Sequence, residues 1–251
     1  MPRWSYNSLT RRGFLQGSAA LGGTLAAGTM VRTWAAEKPD LAPGAVVLFQ
    51  GDSITDAGRN RKSTGPNNSA GLGSGYPLLL AGALLADHPK AKLQIYNRGI
   101  SGNKVPDLAN RWQEDTLALK PKILSILIGV NDIWHKLGGR YNGTVEDYET
   151  GYRSLVEKTL AALPGIRIVV CEPFVLRCGA VTDQWFPEFD QRRAAAKRLA
   201  DSLQLTFVPF QSIFDAAAKD APPEYWAGDG VHPTLAGHAL MAKTWREVAG
   251  I

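Results

Sequence analysis

The chain has 251 residues, with 45% apolar and 20% charged side chains and a formal net charge of +5. That length and balance fit one α/β domain and exclude an intrinsically disordered chain. Two cysteines exclude a disulfide scaffold or a four-cysteine zinc site, and no 18-residue apolar run exists in the body of the chain to span a membrane.

The N-terminus reads as an address. Arg3, Arg11, Arg12 and Arg32 lie within residues 1–36, which hold no acid; without these four, 24 basic residues face 23 acidic ones. The positive charge therefore belongs to the leader, and no nucleic-acid partner is expected. Thr10-Arg11-Arg12-Gly13-Phe14-Leu15 is a twin-arginine pattern, followed by a weakly apolar stretch from Ser18 to Val31 that Thr24 and Thr29 interrupt. Thr33-Trp34-Ala35-Ala36 then offers small residues for cleavage. The segment resembles a twin-arginine export signal, which implies a periplasmic or secreted protein with no stable membrane insertion and a mature domain over 37–251. An uncleaved amphipathic helix is the other reading of residues 1–36.

Beyond the leader, apolar runs of strand length alternate with helical patterns. The sequence predicts strands at Ala45–Gln50, Leu93–Tyr96, Ile123–Ile128, Ile166–Cys171 and Thr206–Val208. Helices are expected at Tyr76–Leu85, Val105–Leu117, Tyr148–Leu163, Phe189–Leu203, Ile213–Ala218 and Thr234–Val248. Continuous apolar strands between amphipathic helices indicate a parallel sheet covered on both faces, hence a three-layer α/β/α sandwich. Residues 57–75 form the one long connection, rich in Gly, Ser and Asn, of a length that is usually functional or mobile.

Sites in open α/β sheets form at the carboxyl ends of the strands. Three strands here run into polar, glycine-containing clusters: Gly51-Asp52-Ser53-Ile54-Thr55, Asn97-Arg98-Gly99-Ile100-Ser101-Gly102-Asn103 and Gly129-Val130-Asn131-Asp132. A fourth, Asp229-Gly230-Val231-His232-Pro233, precedes the last helix. A hydroxyl nucleophile needs a base, and the base needs an orienting acceptor. Ser53 is the candidate nucleophile and His232 the candidate base. Asp229, three residues earlier, is placed for a turn to hold its carboxylate against the imidazole Nδ1. The N–H groups of Ser53 and Gly102 and the Asn131 amide are candidate oxyanion donors. Alone, Ser53 would read as a helix cap; its combination with Asp229, His232 and Asn131 reverses those odds.

These four blocks, in this order and at wide spacing, resemble those of the SGNH, or GDSL-type, hydrolases, over the chain from about Ala45 to its end. The resemblance implies a five-stranded parallel sheet of order 2-1-3-4-5. It also implies Ser53 as nucleophile, His232 as general base and acid, Asp229 as its orienter, and Ser53, Gly102 and Asn131 around the oxyanion. A narrower resemblance, to bacterial acetylxylan esterases of that family, is carried by Gly71-Leu72-Gly73-Ser74-Gly75-Tyr76, Arg111-Trp112-Gln113-Glu114-Asp115, Leu119-Lys120-Pro121, Ile128 to Trp134 and Ala236-Gly237-His238. It implies a serine esterase that removes acetyl groups from xylan or related polysaccharides. The chain departs from that group's pattern at Ala227-Gly228-Asp229-Gly230, where the group has a Trp beside the acid. A broader acyl esterase or lysophospholipase, and a carbohydrate-binding protein without turnover, are the alternatives.

Asp52, Arg98, Trp134 and Trp226 are candidate substrate contacts, each with packing or a local hydrogen bond as the competing role. No cofactor is expected, nor a metal, since metal-ligand spacings are missing from the sequence. The partner expected is an acetylated carbohydrate, and a homo-oligomer is left open. Cys171 and Cys178 enclose a short loop that favours two free thiols over a bridge.

Overall fold

A computed structural model describes residues 41–251. The leader over 1–36 lies outside the described residues.

Five strands form one parallel sheet: β1 (Val46–Gly51), β2 (Gln94–Asn97), β3 (Ile123–Leu127), β4 (Arg167–Cys171) and β5 (Thr206–Val208). Their order is β2-β1-β3-β4-β5, as the family resemblance implies. The chain therefore reverses direction across the sheet between β1 and β3, which opens a crevice at their carboxyl ends. The described residues also hold ten α-helices: α1 (Ser53–Asp56), α2 (Ser69–Leu72), α3 (Tyr76–Asp87), α4 (Val105–Asp115), α5 (Val130–Leu137), α6 (Val145–Ala162), α7 (Glu188–Ser202), α8 (Phe210–Ala217), α9 (Pro223–Trp226) and α10 (Leu235–Ala249).

The continuous apolar strands serve two cores, because successive side chains point to opposite faces. Val47, Phe49, Val169 and Cys171 enter one core with Tyr76, Leu80, Phe210, Met241 and Trp245 from α3, α8 and α10. Leu48, Leu124, Ile126 and Val170 enter the other with Leu108, Trp112, Tyr152 and Leu199 from α4, α6 and α7. Both core indoles that carry a buried N–H toward a hydroxyl are paired: Trp245 Nε1 donates to Ser125 Oγ at 3.0 Å, and Trp112 Nε1 to Thr159 Oγ1 at 2.9 Å. Leaving such a donor unpaired would cost about 1–3 kcal/mol.

The helix boundaries differ from the sequence reading where caps decide them. α6 starts at Val145, three residues before the expected Tyr148, because Thr144 accepts from the Asp147 N–H while Asp147 accepts from the Thr144 N–H. α5 is missing from the sequence reading, since Asn131-Asp132 after a glycine has the composition of a turn. The long connection is tied down rather than loose. Asn67 pairs with edge strand β2, donating its backbone N–H to Ile95 O at 3.0 Å and accepting the Ile95 N–H on Oδ1 at 2.9 Å. The β2 edge is thereby covered.

Cys171 and Cys178 are free and buried. Cys171 lies 3.4 Å from Ser125 Oγ, and burial pushes its thiol pKa up to about 12. Cys178 donates to Ala227 O at 3.4 Å.

Candidate active site

The block that carries the candidate nucleophile forms as β1 ends. Asp52 caps the single turn of α1, its Oδ1 accepting the Ile54 N–H at 3.0 Å. Ser53 is the first residue of that turn, where backbone N–H groups have no partner within the helix. Ser53 Oγ lies 2.8 Å from His232 Nε2. His232 Nδ1 lies 2.6 Å from Asp229 Oδ2. A carboxylate only accepts, so the imidazole proton sits on Nδ1 and Nε2 is left to accept from the serine hydroxyl.

The Asp229–His232 turn is self-contained. Asp229 Oδ1 accepts the backbone N–H groups of Val231 at 2.9 Å and His232 at 2.7 Å. Burial raises the Asp229 pKa, but the hydrogen bonds from the His232 ring, the His232 N–H and the Val231 N–H outweigh it, and the net shift is downward. Asp229 is therefore a fixed anion at neutral pH. Ala180 N–H to Asp229 O (2.8 Å) and Leu176 N–H to Gly230 O (2.7 Å) anchor the turn to the loop after β4.

Gly102 and Asn131 come from the other two strand ends. Gly102 has φ +82°, a conformation that favours glycine. Asn131 is buried on the first turn of α5, and one of its amide hydrogens is held by Asn103 O at 3.2 Å. Trp134, one turn further along, stands with its ring 5.8 Å from that of His232 and 5.6 Å from Trp185. The other sequence candidates are engaged with the protein. Arg98 Nη2 donates to Thr64 O at 2.9 Å, and its guanidinium lies over the Tyr96 ring. Trp226 Nε1 donates to Ala217 O at 3.0 Å.

Comparison with known proteins identifies the family and agrees with the fold. Residues 49–240 match the GDSL-like lipase/acylhydrolase family. The chain belongs to that family. It is 37% identical over 213 residues to an acetylxylan esterase of Geobacillus stearothermophilus, covering 83% of this chain and 95% of the relative. A crystal structure of that organism's acetylxylan esterase superposes with a TM-score of 0.75 at 36% identity, covering 84% of this chain and 96% of the other. A candidate GDSL-like lipase from Parabacteroides merdae superposes with a TM-score of 0.83 at 52% identity, covering 85% and 99%. This GDSL-family protein is accordingly a carboxylic ester hydrolase.

Two features of the hydrolase site carry more than its sequence announces. Arg111, on α4, ties three segments together. Its Nε donates to Asn103 Oδ1 at 2.8 Å, its Nη1 to Gln50 Oε1 at 2.9 Å and Arg98 O at 2.8 Å, and its Nη2 to Gly51 O at 3.3 Å. Asp115 Oδ2 takes a further Nη1 bond at 2.9 Å. One guanidinium thus fixes the end of β1 against the loop that carries Gly102 and orients Asn131. In the sequence Arg111 stood out only as part of a stretch that resembles acetylxylan esterases, with no partner assigned.

The second feature is a pair of buried acids near the candidate nucleophile. Asp52 Oδ2 is buried without a partner. Burial pushes Asp52 up to about 7, with the Ile54 N–H opposing and Asp132 adding to the rise. Neither Asp132 oxygen makes a hydrogen bond of ordinary geometry. Burial lifts Asp132 to about 6, against the positive charge of Arg192 and the nearby Val105 N–H.

Proposed function

We propose that this hydrolase removes acetyl groups from O-acetylated xylan or related oligosaccharides, with Ser53 as nucleophile. His232 Nε2 takes the Ser53 proton as Oγ attacks the acetyl carbonyl. The carbonyl oxygen becomes an oxyanion held by the N–H groups of Ser53 and Gly102 and the Asn131 amide. The imidazolium, stabilised by Asp229, returns its proton to the sugar oxygen as the ester C–O bond breaks. Water then attacks the acetyl-enzyme by the reverse path, releasing acetate and restoring Ser53.

The hydrogen-bonded relay of 2.8 and 2.6 Å from Ser53 through His232 to Asp229 carries the mechanism. The likeness to an acetylxylan esterase along most of both chains supports the substrate class. The open setting fits a polymeric or oligomeric alcohol, since the His232 and Asp229 side chains are 44% and 40% exposed. Among the described residues, no helix is long and apolar enough to cross a membrane. Together with the twin-arginine pattern, that favours release of the mature domain into the periplasm or beyond.

Acetate release from acetylated xylan and hydrolysis of p-nitrophenyl acetate test the reading. Ser53→Ala is expected to lower turnover by about 10⁴–10⁶-fold. Unchanged hydrolysis in that variant would remove Ser53 as nucleophile. Faster cleavage of octanoyl than acetyl esters would replace the acetyl reading with that of a broader acyl esterase.

A further inference from the structure

A cavity of about 420 Å³ adjoins the triad, walled by Ser53, Ala57, Ser74, His232, Leu235 and His238. Of the three proposed oxyanion donors it shares only Ser53; neither Gly102 nor Asn131 lines it. Its size falls in the range of small-molecule sites. An acetyl methyl group needs neither that space nor polar walls.

His238, on α10, is 9% exposed. Its Nδ1 accepts the Tyr76 N–H at the start of α3, at 3.2 Å. The ring stacks on Tyr76 at 6.4 Å and 22°. A Cβ at Gly75 would sit 2.8 Å from His238 Cε1, so the bare glycine leaves the ring its place. With Nδ1 used as an acceptor, the neutral ring carries its proton on Nε2. Nε2 has no hydrogen-bond partner among the described residues and is not sealed from solvent. Burial and the neighbouring His232 push the His238 pKa down to about 4, which keeps this donor in place at neutral pH. Ser74 Oγ, whose own proton goes to Ala57 O at 2.9 Å, offers an acceptor on the same wall. A donor, an acceptor and the apolar surfaces of Ala57 and Leu235 together suit a hydroxylated ring.

We propose that this cavity receives the sugar half of the ester and that His238 is a specificity-determining residue, its Nε2–H donating to a sugar oxygen. The inference rests on the acetyl-sugar reading above and deepens it. His238 also has a structural duty toward Tyr76, and the test separates the two. Asn places its Oδ1 near the position of Nδ1 and has no group at the position of Nε2. His238→Asn therefore keeps the acceptor for Tyr76 and removes the donor.

The readout is kcat/KM for an acetylated xylo-oligosaccharide divided by kcat/KM for p-nitrophenyl acetate, in the wild-type protein and in His238→Asn. One lost hydrogen bond should lower that ratio by about three- to tenfold. An unchanged ratio overturns the proposal. His238→Gln and His238→Met both leave the Tyr76 N–H unpaired and differ in the donor, so they supply a second comparison that does not depend on His238→Asn folding. There the ratio should be about threefold higher or more for Gln, and equality overturns the proposal. A wild-type protein that cleaves p-nitrophenyl acetate but no acetylated oligosaccharide would instead sink the acetyl-sugar reading itself.

Discussion

The two halves of the site are built on opposite plans. The half holding Ser53, Gly102 and Asn131 sits on strand ends that are far apart in sequence, and Arg111 ties them together from α4. The half holding Asp229 and His232 is a single turn that needs only its own backbone and two anchors from the loop after β4. The acids follow the same division. Asp52 and Asp132 are buried and pushed up to about 7 and about 6, while half-exposed Asp229 is drawn down by the hydrogen bonds it accepts. One residue type is thus held toward neutrality near Ser53 and fixed as an anion beside His232, a division set by environment alone.

The largest test of this contrast is Asp229→Asn. An amide can present a donor to Nδ1 and so favour the tautomer that protonates Nε2, which disables the base while leaving the turn close to its native shape. Turnover of p-nitrophenyl acetate should fall by about 10⁴-fold, with thermal stability nearly unchanged. A loss below tenfold would show that the exposed imidazole works without its carboxylate.

Arg111→Met probes the other half and should cost less, because it displaces donors without deleting them. Misplacement by about 1 Å can cost up to roughly 10²-fold, so a fall in kcat of about 10–10² is expected, with KM changing less than the rate. Equal losses of kcat for Arg111→Met and Arg111→Lys, with KM intact, would support positioning by the planar fork rather than by charge. A change in melting temperature with kcat untouched would reduce Arg111 to a structural tie.

The contrast also explains which parts of the molecule were legible in the sequence. The strands were, because each is a continuous apolar run feeding two cores. Asp229 and His232 were, because a three-residue spacing is itself a geometric statement. Ser53, Gly102 and Asn131 were marked by their place after strands and by the family resemblance. Arg111 was not, since its partners Gln50 and Arg98 lie 61 and 13 residues away and an arginine on a helix ordinarily reads as solvated. His238 escaped for a related reason: its meaning depends on the Tyr76 N–H, 162 residues away. Arg98 illustrates the reverse. It stands in the right block for a substrate contact, yet its guanidinium is held by Thr64 O and the Tyr96 ring, a competition that no local pattern reveals.

The smallest expected effect is on stability, and it isolates the acids of the buried half. In the unfolded chain the Asp52 carboxyl ionises near 3.8, whereas in the folded protein burial holds its proton up to about 7. Between those values the folded state binds more protons than the unfolded state, so this group's contribution falls as pH rises. It is fully present below about 3.8 and lost once pH passes about 7. Asp132, lifted to about 6, acts with the same sign over a narrower window. Replacing Asp52 by Asn removes the titrating group while preserving an acceptor for the Ile54 N–H. Relative to the wild-type protein, Asp52→Asn should therefore gain stability between pH 4.5 and pH 7.5, read as the difference in urea midpoints at the two values. Asp229→Asn should show no such gain over this interval, because a carboxyl whose pKa is depressed on folding contributes a constant amount above its unfolded value near 3.8 and loses it only as pH falls below that value. If Asp229→Asn gains over the same interval as Asp52→Asn does, the two halves are not electrostatically distinct, and the division of labour between a buried and an open half fails at its physical root.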